Sequence, residues 1–464
     1  MKVSVAVYSN QARPEVEYTL TTLLEVVGLP FELLRSPNAA KQPGTLRLDY
    51  GPPAGYSPGD VVIPADDLAL WQTVEPAYVT MDGVPALYTG EEPKALLHHR
   101  DASVFLGFDL VLAAFWLLSR QEELGDSDRD AMGRFAGSKG WLMRRDLAET
   151  PIVNLYAALL ETALWTAAQR QDVPLVRKGQ WPYGQRYTVV LSHDVDEVGR
   201  IEPGRGVRLF MQAFGQSSAR AIARGAYFAA AGLSRSLAWW TDPYWNFDAI
   251  TSLESQNGFR STFFFVPEAR SVSRDPPYEI DTARMRDLLA RLRAGGWELG
   301  VHGNFDSSMD AGLLRSQRQR LERVGGAAVH GIRQHYLQLR VPDSFRAQAM
   351  AGFAYDSSLG YHDCLGFRAG AAFPFHPYDL AACQPLPLLE LPLTVMDGPL
   401  FWDLGLTPQE ATTRTLALLD TVQSQRGLAV LLWHQRVWNA KKYPGWAHVF
   451  QRVVEHLRDE GEAW

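Results

Sequence analysis

Residues 187–198, "YTVVLSHDVDEV", place a run of mostly apolar residues directly before one His and two Asp. A buried strand usually ends in turn-forming residues, so titratable side chains at its end need another explanation. Alternate residues of a strand point the same way, and Asp194 and Asp196 are two positions apart. This stretch therefore predicts a strand whose carboxyl end directs two carboxylates into one cavity.

The composition of the 464-residue chain is that of an ordinary globular protein, with 46% apolar and 21% charged residues. Its net charge of −7 argues against a general nucleic-acid binder. The two cysteines, Cys364 and Cys383, form no C-x-x-C metal pair. The first apolar run is too short for a secretion signal, and no apolar run reaches the roughly 18 residues of a membrane span. We expect a cytoplasmic protein without a transmembrane segment.

Residues 1–180 are predicted to form a small α/β domain. Its strands are expected at "KVSVAVY", "GTLRLDY" and "DVVIP", and its first helix, "EVEYTLTTLLEVVG", ends at Gly28. Helical spacing recurs within residues 103–123 and 152–169. The acidic segment "GDSDRDAMGRF", residues 125–135, lacks the ligand spacing and closing Glu of a calcium loop, so we interpret it as a solvated connector.

A polar, turn-rich boundary at residues 176–186 separates this domain from residues 186–464, where apolar strands alternate with helices. The expected strands are "YTVVLS", "STFFFVP", "WELGVH", "GIRQHYL", "LLELPLT" and "LAVLLWH". Helices such as "TARMRDLLARLRAG" and "PQEATTRTLALLDTVQSQ" lie between some of them. Continuous apolar strands separated by helices indicate a buried parallel sheet, and six or more of them fit a barrel better than an open sheet.

An insertion at residues 200–240 has a local net charge of +5, from six Arg and one Glu. The arginines are Arg200, Arg205, Arg208, Arg220, Arg224 and Arg235. The insertion is interpreted as a lid, as a membrane-surface segment or as a patch for an anionic substrate. A solvent-exposed helical insertion that packs on the barrel explains the sequence equally well.

Polar residues gather at the carboxyl ends of four predicted strands. They are His193, Asp194 and Asp196; His302, Asn304 and Asp306; Arg333, Gln334, His335 and Tyr336; and His434. In a barrel these strand ends converge on one face, where active sites lie. A single His after an apolar run is usually a satisfied core residue. Four strands that all end in this way are difficult to explain by packing, because each buried polar group needs its own partner.

Asp and His side chains suit a hydrolytic metal site. They are ligands for zinc or a similar divalent ion, and three protein ligands leave a position open for water. Bound metal lowers the pKa of that water towards about 7. A second carboxylate can then act as base, and a His across the site can act as acid. The pattern therefore predicts a metal-dependent hydrolase.

The motifs resemble those of the NodB-type polysaccharide deacetylases, carbohydrate esterase family 4. "SHDVD" is similar to the opening D-x-D motif, which implies that Asp194 is the base and Asp196 a metal ligand. "HGNFD" resembles the H-x-x-x-H motif, which implies His302 as a ligand and places Asp306 where the second His is expected. From the residues alone, Asp306 could instead be a helix N-cap.

Two further motifs extend the resemblance. "RQHY" resembles R-x-P-Y, which implies that Arg333 orients the base and that the backbone N–H of Tyr336 helps to hold the oxyanion. "LWH" resembles the closing L-x-H motif, which implies that His434 is the general acid. The sequence departs from the family at two positions. Asp306 in place of a His would give the metal a hard oxygen ligand and more negative charge, and His335 replaces a proline.

The resemblance covers residues 186–440 and includes "GFAYDSS", "GYHDCLGFRAGAAFPFHPYDL" and "LPLTVMDGPL". It implies a distorted (β/α)7 NodB-type barrel preceded by a smaller α/β accessory domain of unassigned role. It also implies one divalent metal ion, zinc in the first place, and a carbohydrate substrate.

The leading hypothesis is a hydrolase of non-peptide carbon–nitrogen bonds. It would remove N-acetyl groups from amino sugars of a glycan or glycan precursor in bacterial surface-polysaccharide metabolism. The alternatives are a catalytically weak carbohydrate-binding protein and a hydrolase of another small amide.

Overall fold

The computed structural model describes residues 5–9, 13–34, 44–51, 60–124, 129–198, 242–271, 273–276, 278–461 and 463. The arginine-rich insertion at residues 200–240 lies outside the described residues, so its predicted roles stay predictions.

The described residues between 5 and 180, here called the N-terminal unit, are built on a six-stranded sheet in the order β2-β1-β3-β4-β8-β7. Its strands are β1 Val5–Ser9, β2 Phe31–Leu34, β3 Leu46–Tyr50, β4 Val61–Ile63, β7 Leu97–Arg100 and β8 Ser103–Leu106, with a separate hairpin of β5 Ala77–Met81 and β6 Val84–Tyr88. Its helices are α1 Pro14–Val27, α2 Leu68–Thr73, α3 Leu110–Leu118 and α4 Ile152–Gln171. All neighbours in the six-stranded sheet are parallel except β7 and β8.

The first helix ends as predicted, because Gly28 adopts the left-handed conformation with φ of 79°. The interpretation of residues 103–123 as one helix is only partly right. The segment begins as strand β8, and α3 starts after Asp109, whose carboxylate accepts hydrogen bonds from the N–H groups of Val111 and Leu112. This cap fixes the start of the helix.

The described residues from 186 to 463, here called the C-terminal unit, contain an eight-stranded sheet in the order β16-β13-β12-β11-β10-β9-β18-β17. Its strands are β9 Thr188–Val195, β10 Thr262–Phe265, β11 Glu298–Gly303, β12 Gly331–Gln334, β13 Tyr355–Asp356, β16 Leu389–Glu390, β17 Leu393–Met396 and β18 Leu428–Leu432; β14 Tyr378–Asp379 pairs separately with β15 Gln384–Pro385. Its helices are α5 Phe247–Gln256, α6 Ala283–Ala294, α7 Ala311–Gly325, α8 Asp343–Ala351, α9 Pro408–Ser424 and α10 Trp446–Glu460. Every pairing within the eight-stranded sheet is parallel, as the apolar strands predicted.

The sheet curls back on itself. Its two edge strands, β16 and β17, follow each other directly in the chain. Glu390 and Leu393 are three residues apart, so their Cα atoms are at most about 11 Å from each other. The result is a distorted, barrel-like sheet with a seam between these strands. The described sheet has eight strands, two of them only two residues long, so the sevenfold repeat implied by the resemblance stays a prediction.

The two units share one continuous apolar core, which includes Val5 of the first sheet and Phe265 of the second. Polar contacts cross the boundary as well: the Tyr18 hydroxyl donates to the His376 carbonyl at 2.7 Å. None of the helices within the described ranges combines the length and apolar character needed to cross a membrane.

Candidate metal and catalytic site

A cavity of about 480 Å³ lies at the carboxyl ends of β9, β11, β12 and β18. Six of the seven predicted site residues line it or lie directly behind it: Asp194, Asp196, His302, Arg333, Tyr336 and His434. A second cavity, of about 630 Å³, lies between α1 and residues 373–389 and contains none of these groups. The parallel strands therefore bring these six predicted site residues together around one cavity.

Strand β9 separates its side chains by face. Asp194 and Asp196 line the cavity, whereas His193 lies on the other side, with its ring centroid 4.8 Å from that of Phe263. Nε2 of His193 is 2.9 Å from Oε1 of buried Glu254. The period of two residues in a strand explains this division, and it leaves His193 as a core residue with its own partners.

Asp194 is held as a carboxylate by a buried arginine. Nη1 of Arg333 donates to Oδ1 of Asp194 at 3.0 Å, and Nε2 of His302 is 3.7 Å from Oδ2. Burial would raise the pKa of Asp194, but the neighbouring His302 and Arg333 outweigh it and hold this pKa below the usual value. Asp194 is therefore ionised and able to accept a proton at neutral pH.

Arg333 itself is fixed by a full set of acceptors. Nε donates to the carbonyl of Ser357 at 2.8 Å, Nη2 donates to the Ser357 hydroxyl at 2.9 Å, and Nη1 also donates to the Ser192 hydroxyl at 2.8 Å. The side chain is completely buried. Such a guanidinium holds one orientation and so fixes the Asp194 carboxylate beside it.

Three side chains form a group that could hold a metal ion: Asp196, His302 and His335, with ligand atoms within 4.8 Å of one another. Oδ1 of Asp196 is 3.6 Å from Nε2 of His302 and 3.5 Å from Nε2 of His335. This oxygen is buried and has no hydrogen-bond partner in the described structure. A buried carboxylate oxygen without a partner is costly, so the arrangement fits a cation between these three residues.

The two histidines are prepared for the same role. Nδ1 of His302 lies 2.9 Å from the Arg333 carbonyl, and donation to it leaves the lone pair of Nε2 directed at Asp196. Burial lowers the pKa of His335 to about 4, so its imidazole is neutral at neutral pH. Neutral imidazole nitrogens and one carboxylate oxygen are ligands typical of zinc and similar divalent ions.

The structure does not bring Asp306 to this group. Its side chain is exposed to solvent, and the ligand position expected for it is taken by His335. The helix-cap alternative for Asp306 is wrong as well, because Asp310 caps α7 by accepting from the N–H of Leu313. Asp306 follows β11 by three residues, by which point the chain has left the cavity.

His434 is oriented by a residue that the sequence analysis did not single out. Asp397 accepts from Nδ1 of His434 at 2.7 Å and from its backbone N–H at 2.8 Å. Burial would lower the pKa of His434, but the Asp397 carboxylate outweighs it and raises this pKa above the usual value. Asp397 directly follows β17, so the rule of polar residues at strand ends would have found it.

Arg436 is a second unpredicted residue. Its Nη1 contacts Oδ2 of Asp196, and its guanidinium lies 5.7 Å from the ring centroid of Trp402. Burial would raise the pKa of Asp196, but Arg436 and the neighbouring histidines, among them His302, hold it well below the usual value. Oδ2 of Asp196 thus faces Arg436 and also His434, whose Nε2 is 3.5 Å away, whereas Oδ1 faces His302 and His335.

Tyr336 stands at a sharp turn after β12. Both Tyr336 and Leu337 adopt left-handed backbone conformations, with φ of 63° and 53°. Consecutive left-handed residues other than glycine are strained, and such turns occur at functional sites. The Tyr336 hydroxyl donates to the Arg274 carbonyl at 3.0 Å, and the residue lines the cavity. The oxyanion role of its backbone N–H stays a prediction.

The N-terminal unit also reaches the cavity. Met132 and Arg134 belong to the segment interpreted as a solvated connector, yet both line the cavity beside Tyr336. The described part of that segment, which begins at Arg129, is therefore a wall of the site, and its interpretation as a connector is corrected.

Comparison with known proteins gives a sequence match for the first part of the chain only. Residues 5–169 match a family described as "Family of unknown function (DUF7033)". A search among curated proteins finds no match.

Solved structures similar to this one include several members of carbohydrate esterase family 4. A protein from Mycobacterium smegmatis, named as a candidate polysaccharide deacetylase, is 21% identical, with a TM-score of 0.39 over 61% of this chain and 88% of that one. A family 4 carbohydrate esterase from Streptomyces lividans is 12% identical, with a TM-score of 0.27 over 58% and 91%. A family 4 pseudoenzyme from Bacillus anthracis is 9% identical, with a TM-score of 0.28 over 58% and 61%. At this distance, any activity must be inferred from the residues of the present chain.

Proposed function

We propose that the chain is a metal-dependent hydrolase that removes N-acetyl groups from amino sugars of a glycan or glycan precursor, in bacterial surface-polysaccharide metabolism. One observation carries the proposal. The two carboxylates at the carboxyl end of β9 have different partners: Asp194 is bound by Arg333, whereas Oδ1 of Asp196 faces two histidines without a hydrogen bond. A base beside a metal site is the arrangement that amide hydrolysis by water requires.

Asp196, His302 and His335 would hold the metal ion. When bound, a divalent ion in a three-ligand site acts as a Lewis acid that activates water and polarises a carbonyl group. Asp194 takes the proton from the attacking water as the water oxygen bonds to the acetyl carbon. Its low pKa, maintained by His302 and Arg333 against the effect of burial, keeps it ready to accept that proton.

His434 completes the reaction. An amide nitrogen leaves poorly unless it is protonated, and the raised pKa of His434 favours the protonated imidazole that supplies this proton. The proton passes from Nε2 of His434 to the nitrogen as the carbon–nitrogen bond breaks, which releases acetate and the free amine. Asp397 fixes Nδ1 and so directs Nε2 at the cavity. The backbone N–H of Tyr336 is proposed to stabilise the developing oxyanion.

We expect Arg333→Ala to lower kcat by about 100-fold while metal content stays near one ion per chain. The loss of a charge-assisted bond frees the Asp194 rotamer and raises its pKa. Turnover and metal analysis of the same preparation test this. Exposed Arg286, which pairs with Asp281 away from the cavity, is the matched control. Equal loss of turnover and metal, or loss of neither, would assign Arg333 a different role.

His335→Ala is expected to weaken metal affinity by about 10-fold or more, whereas Asp306→Ala leaves it unchanged. The two variants separate the ligand set of the structure from the one implied by the motif resemblance. Titration with zinc against a chelator of known affinity measures both. A large effect of Asp306→Ala with none of His335→Ala would restore the motif-based ligand set.

A second candidate function is a carbohydrate-binding protein with little or no catalysis. The contact of Arg436 with Asp196 favours it, because a guanidinium on a ligand carboxylate opposes cation binding. Metal analysis together with acetate release from a panel of N-acetylated oligosaccharides decides between the two. Metal and acetate release support the hydrolase, whereas sugar binding without either supports the binding protein. Turnover only of non-sugar amides would indicate a hydrolase of another class.

A further inference from the structure

We propose that the N-terminal unit supplies a sugar-binding residue to the site. Arg134, together with Trp402 and Asp403 of the C-terminal unit, forms a subsite for a neutral sugar ring next to the hydrolysed amide. All three residues line the cavity that contains Asp194 and His434. This inference rests on the proposed function and specifies its substrate class.

The cavity wall that carries Arg134 is attached to the loop after β12. Nε2 of Gln338 donates to the Met132 carbonyl at 3.0 Å, and Nη1 of Arg129 donates to the Leu339 carbonyl at 3.1 Å. The same Arg129 nitrogen donates to the carbonyl of Gly133 at 3.0 Å. This loop also contains two residues of the site, so the wall and the catalytic groups are fixed relative to each other.

The other end of the wall packs closely against the C-terminal unit. A Cβ atom at Gly137 would lie 2.5 Å from Oδ1 of Asp363 and 2.6 Å from Cδ1 of Tyr361, so only glycine permits this approach. On the other side of the wall segment in the chain, Glu123 accepts a hydrogen bond from Nε of buried Arg368 at 2.9 Å. These contacts make the wall part of one packed body.

The guanidinium of Arg134 is oriented by its neighbour Asp130. Nε and Nη2 of Arg134 both lie 2.8 Å from Oδ2 of Asp130, and that carboxylate also accepts from the backbone N–H groups of Met132 and Arg134. The side chain of Arg134 keeps 22% exposure at the cavity surface. A guanidinium held in this way presents its remaining donors in a fixed plane.

Trp402 provides an apolar surface in the same cavity. Its side chain is 58% exposed, although its ring contacts Trp446 with centroids 5.0 Å apart. A large exposed aromatic side chain among the polar residues of a cavity is typical of a ligand surface. The C–H face of a sugar ring packs on such a ring, while hydroxyl groups point sideways.

The charges beside Trp402 suit hydroxyl groups. Arg134 donates only and the Asp403 carboxylate accepts only, which matches the donor and acceptor capacity of neighbouring sugar hydroxyls. Burial and Asp363 raise the pKa of Asp403, and Arg134 opposes that rise, which indicates that the two charges interact. Together with Asp130, the group carries one positive and two negative charges, so the subsite favours a neutral sugar over an anionic one.

The test uses the full-length chain and a linear trimer of N-acetylglucosamine. Arg134→Ala and Trp402→Ala should each raise KM, and the Kd measured by calorimetry, by about 10-fold, while kcat stays within about threefold. Matched controls are Arg144→Ala, an arginine paired with Glu75 outside the cavity, and Trp165→Ala, an exposed tryptophan on α4. Both controls should behave as the parent chain does.

Asp130→Asn serves as a positioning variant that keeps Arg134, and we expect a smaller rise in KM. If the parent chain releases acetate and neither Arg134→Ala nor Trp402→Ala changes KM, the subsite is refuted and the proposed function stands. If the parent chain binds the trimer without turnover and both variants lose binding, the subsite stands and the hydrolase proposal fails. Absence of binding and of turnover in the parent chain overturns both.

Discussion

Asp196→Ala is expected to remove the divalent metal ion and acetate release together. Asp196 provides the only carboxylate of the candidate ligand group, and its Oδ1 is the buried oxygen without a hydrogen bond. Even outer partners of metal ligands cost about 10- to 100-fold in affinity when they are removed, so loss of a direct ligand should cost at least about 100-fold. Elemental analysis after gel filtration and acetate release measured on the same sample test this.

The substitution also leaves Arg436 without its carboxylate partner, so folding must be checked by thermal unfolding. Asp306→Ala is the matched control, since it removes an exposed carboxylate that lies outside the ligand group. Full metal occupancy in folded Asp196→Ala would show that the ion binds elsewhere. The proposed arrangement of base and metal would then be abandoned.

The position of the site could be predicted because it depends on local patterns. Apolar runs predicted the parallel strands, and the carboxyl ends of parallel strands meet at one face. The period of two along β9 then placed Asp194 and Asp196 on the same side. Such inferences need only the chain near each residue, so they are open to sequence reasoning.

His335 was among the polar residues predicted at the strand ends, but its place as the third candidate ligand was not predicted. His335 directly follows β12, and its Nε2 lies 3.5 Å from Oδ1 of Asp196, just before the chain turns through left-handed conformations at Tyr336 and Leu337. Neither residue type favours that conformation, so no local signal indicates the turn. The motif spacing pointed to Asp306 instead, whose side chain the structure places in solvent.

The wall formed by the N-terminal unit was missed for a different reason. An acidic, glycine-containing segment is compatible with many solvated loops. Its partners are also distant in sequence, because Gln338 bonds to Met132 and Leu339 to Arg129, each about two hundred residues away. Contacts of that range depend on how the two units pack. Composition alone carries no information about them.

Asp194→Asn and His434→Ala should each lower kcat by about 100-fold or more while the metal ion stays bound. Asparagine cannot take a proton from water, and alanine cannot supply one to the leaving nitrogen. The pH dependence follows from the two pKa shifts. Asp194 has a lowered pKa, so the rate falls only when pH drops through that low value; His434 has a raised pKa, so the rate falls as pH rises through it. The parent enzyme should therefore show a broad bell-shaped profile.

In His434→Ala the alkaline limb of that profile should disappear, because no proton remains to be lost from the acid. Asp397→Asn is the matched variant: it keeps the imidazole but removes the charge that raises the His434 pKa, so the limb should move to lower pH by about one unit or more. Metal analysis of all three variants separates loss of chemistry from loss of the ion. Near-normal turnover in both Asp194→Asn and His434→Ala, on a substrate that the parent chain cleaves, would refute the acid–base pair. The cavity would then have to be explained as a binding site whose strand-end carboxylates serve recognition.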